Sequence, residues 1–136
     1  MAMGLLLSKV GEAAVDWHIE SAGTWAREGL PAAQMTQQVL QERGINLLNH
    51  RSRSVSKELL SSFQLILTME AGHKEALRAE FPEIASRVYL LNEMIDRRAD
   101  IHDPIGGTLA DFEDTAREID SVLTLGFEKI TRLAEE

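Results

Sequence analysis

The sequence predicts a three-layer α/β domain built on a parallel sheet. Two short, continuous apolar runs, Leu65-Ile66-Leu67 and Val88-Tyr89-Leu90-Leu91, read as strands covered on both faces. Segments with apolar residues at helical spacing lie before, between and after them. That alternation of strand and helix is the pattern of a parallel sheet covered by helices. No linker, repeat or low-complexity stretch divides the 136 residues, so a single domain over 1–136 is expected.

The elements follow in order. Met3, Leu6, Leu7, Val10 and Ala14 recur at helical spacing, which makes the first dozen residues an amphipathic helix. Trp17 to Gly23 reads as a short strand closed by a glycine turn. Pro31 suits the first turn of a second helix with Met35, Val39 and Leu40 as its apolar stripe, and Gly44 marks its stop. Ser56 is placed to cap a third helix that turns Leu59 and Leu60 inward. A helix over 70–80 ends before Pro82, and 92–107 reads as irregular. Thr108 and Asp111 form a capping box that opens the last helix, whose stripe is Ile119, Val122, Leu123, Phe127, Ile130 and Leu133. A parallel α/β domain ordinarily opens on a strand, because its site forms where that strand meets the first helix. Here the first element is already the helix.

Composition narrows the chemistry. Fourteen basic residues against 22 acidic ones leave a net charge of −8, which a phosphate backbone repels, so nucleic acid is not an expected partner. The apolar opening Met1–Leu7 is interrupted by Ser8 and Lys9, well short of the ~20 residues that span a bilayer, so no membrane association and a cytoplasmic location are expected. There is no cysteine, which removes disulfides, thiolate metal sites and any cysteine nucleophile. The four histidines at 18, 50, 73 and 102 are too scattered to indicate a metal site.

Three segments carry the candidate chemistry: Glu20-Ser21-Ala22-Gly23-Thr24, Asn49-His50-Arg51-Ser52-Arg53 and Asp103-Pro104-Ile105-Gly106-Gly107. Taken singly, each has a structural reading. The first is a strand-to-loop turn, His50 a hydrogen-bonded helper, Asp103-Pro104 a turn start, and Arg51 and Arg53 solvated charges. Taken in order, together with Leu65-Ile66-Leu67-Thr68-Met69 and the final amphipathic helix, they resemble the low-molecular-weight protein tyrosine phosphatase family over almost the whole chain.

The resemblance implies hydrolysis of phosphotyrosine monoesters through a cysteinyl-phosphate, without metal or cofactor, on a phosphotyrosine protein or a small aryl phosphate. Complete members open with a strand and a C-x5-R-S loop, whose thiolate attacks phosphorus while loop amides and arginine hold its oxygens. Met1 to Leu6 matches the helix just after that loop, so the nucleophile and loop would lie ahead of Met1 and the central strand would be missing. By the same resemblance, Asp103 is the general acid, Ser21 and His50 are a hydrogen-bonding pair supporting the phosphate loop, and Trp25 is a wall of the cleft. Ile105 and Gly106 stand where animal members carry aromatics, as in the plainer bacterial ones. The absence of later redox cysteines removes the related arsenate reductases. The 136-residue chain is therefore expected to be inactive on aryl phosphates, with a non-catalytic phosphoprotein- or partner-binding module as the alternative. A missing central strand also leaves edges open to a partner strand or an oligomer.

Overall fold

The computed structural model describes residues 1–11, 16–23, 32–46 and 50–135. Ala14 and Pro31 fall outside them. The described elements are α1 (Ala2–Val10), α2 (Gln34–Glu42), α3 (Lys57–Ser61), β1 (Ile66–Thr68), α4 (Ala71–Glu80), β2 (Val88–Leu90), α5 (Leu109–Leu125) and α6 (Phe127–Glu135). They fall into two compact units, Met1–Ser54 with Pro104–Asp120, and Val55–Asp103 with Ser121–Glu136.

In the first unit, α1 buries Leu5 and Val10 and ends at Gly11, whose φ of 59° a side chain would resist. Helix α2 buries Val39 and Leu40. Met35, expected on its apolar stripe, is 37% exposed, and Thr36 is buried in its stead. Gly44 turns with φ 77°, the left-handed stop read from the sequence. The capping box at the start of α5 forms as expected: the Thr108 amide donates to Asp111 Oδ2 at 2.9 Å, and the Asp111 amide to Thr108 Oγ1 at 3.3 Å. Phe112, Ala116 and Ile119 follow at helical spacing and are buried. Lys9 of α1 pairs with Asp120 of α5 at 2.8 Å.

The strand expected over Trp17–Gly23 is corrected. Among the described residues the segment makes one parallel bridge, Gly23 to Ser54, with the Gly23 amide on the Arg53 carbonyl at 2.9 Å. A residue run becomes a strand only where a neighbour meets its backbone on several successive residues, and among the described residues a bridge forms only at the last.

In the second unit, Ser56 caps α3 by accepting the Leu59 amide at 3.1 Å. Strands β1 and β2 pair in parallel, Ile66 with Val88, Leu67 with Tyr89 and Thr68 with Leu90. Leu60, Leu77, Ile84 and Val88 form a buried cluster, with Val55, Ile66 and Phe81 packed against it. Each such side chain contributes about 1.5–3 kcal/mol relative to exposure. The crossover helix α4 supplies Leu77 to that cluster, and this packing holds the parallel pair together.

Two boundaries differ from the expectation. Leu91 does not extend β2; Leu91–Ile95 forms a 3₁₀ helix that runs on from Leu91 into the stretch over 92–107 read as irregular. Glu93 causes this by reaching back to accept the Leu90 amide at 2.8 Å, which ends the strand. The last helix is divided at Gly126, although the Gly126 and Ile130 amides keep bonds to Val122 and Gly126 carbonyls.

Candidate active site

Two of the three candidate segments come together within the first unit. The Gly23–Ser54 bridge sets 20–23 alongside 51–54. Arg53 Nη2 then donates to Glu20 Oε1 at 2.6 Å, and His18 Nε2 lies 3.2 Å from Glu20 Oε2. Burial raises the Glu20 pKa, but the Arg53 guanidinium and His18 outweigh it and hold the carboxyl below its usual value. Arg53, read from the sequence as a solvated charge, is thus an anchor of this segment. No sequence signal marks the Glu20–Arg53 pair, because residues 33 apart meet only once the bridge has formed.

His50 is half-buried beside this pair. Burial lowers its pKa first, and the Met1 ammonium, Arg53 and Arg51 push it lower still. The imidazole is therefore neutral at pH 7, able to donate from one ring nitrogen and accept at the other. Three positive groups make themselves felt at one imidazole at the start of α1. Ser21 is half-buried in the same unit, and no hydrogen bond joins it to His50 among the described residues. Trp25 lies outside the described residues.

Asp103 belongs to the second unit, exposed at the end of a loop that is firmly held upstream. The Ile101 amide donates to the Met69 carbonyl at 2.8 Å, and Ile101 is buried. The Ala71 amide donates to Asp100 Oδ1 at 2.8 Å, so the loop satisfies the first orphan amide of α4. Asn92, itself buried, donates its side-chain amide to the Ala99 carbonyl at 2.7 Å. Three bonds thus fix 99–101; beyond them His102 and Asp103 are exposed, and His102 Nδ1 lies 3.8 Å from Glu70 Oε2.

After Asp103 the chain turns through Gly106, at φ 87°, and the Gly107 amide reaches the Pro104 carbonyl at 2.8 Å. A Cβ on Gly107 would sit 2.5 Å from Asp111 Oδ2 and 2.9 Å from the Pro104 oxygen, so only glycine lets the capping box close on this turn. Ile105 is 73% exposed at its tip.

The chain has close likeness to known proteins. The family model for low molecular weight phosphotyrosine protein phosphatase matches residues 1–135. A protein-arginine-phosphatase of Geobacillus stearothermophilus is 32% identical over 119 residues, covering 87% of this chain and 75% of that protein. A probable low molecular weight protein-tyrosine-phosphatase, EpsP of Ralstonia nicotianae, is 32% identical over 99 residues, covering 73% of this chain and 67% of that one. Among solved structures, the low molecular weight protein tyrosine phosphatase from T. tengcongensis superposes with a TM-score of 0.88 at 33% identity, covering 94% of this chain and 88% of the other. A YwlE arginine phosphatase whose active-site cysteine is replaced by a phosphorylated serine superposes at 0.89 with 26% identity, covering 97% and 89%. The α/β fold is that of these structures, and the chain belongs to the low molecular weight phosphotyrosine protein phosphatase family.

Proposed function

We propose that this chain carries the acid and supporting side of a phosphoprotein phosphatase site, and that the 136-residue polypeptide does not itself turn over phosphate monoesters. Asp103 is the group that would protonate a leaving oxygen, Ser21 and His50 support the phosphate-binding end of α1, and Trp25 walls the cleft. The observation that carries this reading is compositional: a family match over 1–135 in a chain with no cysteine. Magnitudes decide the outcome. A general acid contributes about 10²–10⁴ in rate, whereas phosphate monoester hydrolysis needs up to ~10²¹ over water. No positioning of Asp103 closes that gap without a nucleophile and a cradle for the phosphate oxygens.

The substrate class within this reading is a phosphorylated protein side chain, phosphotyrosine first. Relatives named for arginine as well as tyrosine phosphatase activity support testing both. A cytoplasmic working location and an oligomer through open strand edges belong to the same reading. The test is a turnover assay of the purified chain with a chromogenic aryl phosphate, phosphotyrosine peptide and phosphoarginine peptide. Background rates on all three are expected, and family-like turnover on any of them overturns the proposal.

A non-catalytic phosphate-binding role is the second reading, favoured by the positive groups gathered at His50. Phosphate bound there would raise the His50 pKa toward its ordinary value, which a histidine NMR titration with and without phosphate reads directly. An unchanged titration removes this reading.

A further inference from the structure

Within the second unit, a cavity of about 300 Å³ opens between α4 and the segment from Leu90 to Arg98. Its volume is at the small end for ligand sites. Its lining combines Ala71 and the buried Leu90 with three cations, Lys74, Arg78 and Arg98, and two carboxylates, Glu75 and Glu93. Two of these charges cancel. Lys74 Nζ donates to Glu93 Oε1 at 2.6 Å, and the same oxygen accepts the Leu90 amide at 2.8 Å. What remains is Arg78 on α4 and Arg98 on the opposing loop, with Glu75 the only other charge on the walls. Among the described residues no carboxylate lies within ion-pair distance of either guanidinium, Glu75 included. Arg98 does act on Glu93 from farther off: burial raises that carboxyl's pKa, and the Leu90 amide, Lys74 and Arg98 together hold it below its usual value.

Exposed arginines are ordinarily solvated and mean little singly. Two that converge on one cavity from separate elements, neither held in an ion pair, in a chain of net charge −8, are a different arrangement. Guanidinium forks match the paired oxygens of phosphate and carboxylate. We propose that this cavity is an anion-binding site, in which Arg78 and Arg98 grip one phosphate or carboxylate group from opposite walls. It shares no residue with Asp103, Ser21, His50 or Trp25, and stands or falls without that reading. The group arrives either as a free anion or on the side chain of an acidic peptide.

Amide NMR spectra of the full chain, titrated with inorganic phosphate and separately with a short polyglutamate peptide, test this. The Ala71, Arg78 and Arg98 signals are expected to move with an apparent dissociation constant on the order of millimolar. Arg78→Gln and Arg98→Gln are each expected to weaken binding about tenfold, as loss of a charge-assisted bond does. Arg117→Gln, which removes an exposed arginine outside the cavity, is expected to leave it unchanged. Movement with phosphate alone supports the site and identifies the ligand as a free anion; movement with the peptide supports it and identifies an acidic segment. Still signals at the cavity with both probes overturn the proposal, as do shifts that persist undiminished in both variants. Arg78 is exposed on a helix, so its variant keeps the fold and decides the matter if Arg98→Gln disturbs the loop.

Discussion

The Asp100 carboxylate satisfies the first amide of α4, donated by Ala71 at 2.8 Å from 29 residues earlier in the chain. The helix has no side-chain cap of its own at Glu70, so the loop that leads to Asp103 serves instead. One bond therefore does two jobs: it caps the start of α4 and tethers the loop that leads to Asp103. Asp100→Ala is expected to destabilise by about 1 kcal/mol, the ordinary value of a lost N-cap. Asp100→Asn, which keeps an acceptor, should lose less. Denaturant unfolding gives the energies, and amide exchange at Ala71 and Ile101 should quicken in the alanine variant; unchanged exchange would show that the tether lies elsewhere.

Gly126 is a packing requirement and not a flexible joint. A Cβ there would lie 2.7 Å from Met94 Cβ and 3.0 Å from both the Met94 and Val122 carbonyl oxygens. Alanine gains about 1 kcal/mol in helix propensity, but overpacking against backbone costs about 1–3 kcal/mol. Gly126→Ala is expected to lower the urea midpoint without changing the m-value. A raised midpoint would mean that the 3₁₀ segment carrying Met94 gives way freely.

Stability should fall as His50 is titrated. Burial, the Met1 ammonium, Arg53 and Arg51 all lower its folded pKa beneath 6.5. As pH drops through about 6.5 the unfolded chain takes the proton first, binds more protons than the folded chain, and is favoured. The loss continues until pH passes the lower, folded value, then levels. Thermal melts between pH 8 and 5 should show this decline in the native chain and a shallower one in His50→Gln; identical slopes would remove His50 from the cause.

Strand β1 is paired along one edge only among the described residues. Among the described residues no strand lies along its other edge, and a strand edge left open recruits another chain. Light scattering is expected to show a mass that rises with concentration, and Leu67→Lys, placing a charge in β1, should suppress that rise. A single monomeric mass at every concentration would mean that this edge is covered.

Local signals are legible in the sequence because their partners are close in the chain. The Ser56 cap, the Thr108–Asp111 box and the Gly44 stop each concern residues within a turn or two, where covalent geometry does most of the bringing-together. The parallel pairing of β1 with β2 is legible too, since an apolar run, a helix and a second apolar run permit little else. The strand expected at Trp17–Gly23 fails for the complementary reason: β pattern is a bid for a neighbour, and among the described residues only Gly23 makes a bridge.

What the sequence determines by itself is chemical inventory and order: no thiol anywhere, one Asp-Pro turn, a family resemblance carried by segments in series. Folding rearranges side chains but cannot add one, so the lack of a thiol nucleophile in these 136 residues follows from composition alone. Which charges neutralise each other is decided only by the tertiary structure. Glu20 takes Arg53, Glu93 takes Lys74 and the Leu90 amide, and Asp100 takes Ala71, while Arg78 and Arg98 are left facing one cavity. Side-chain pairing falls off within a few ångströms, and sequence separation says almost nothing about distances that short.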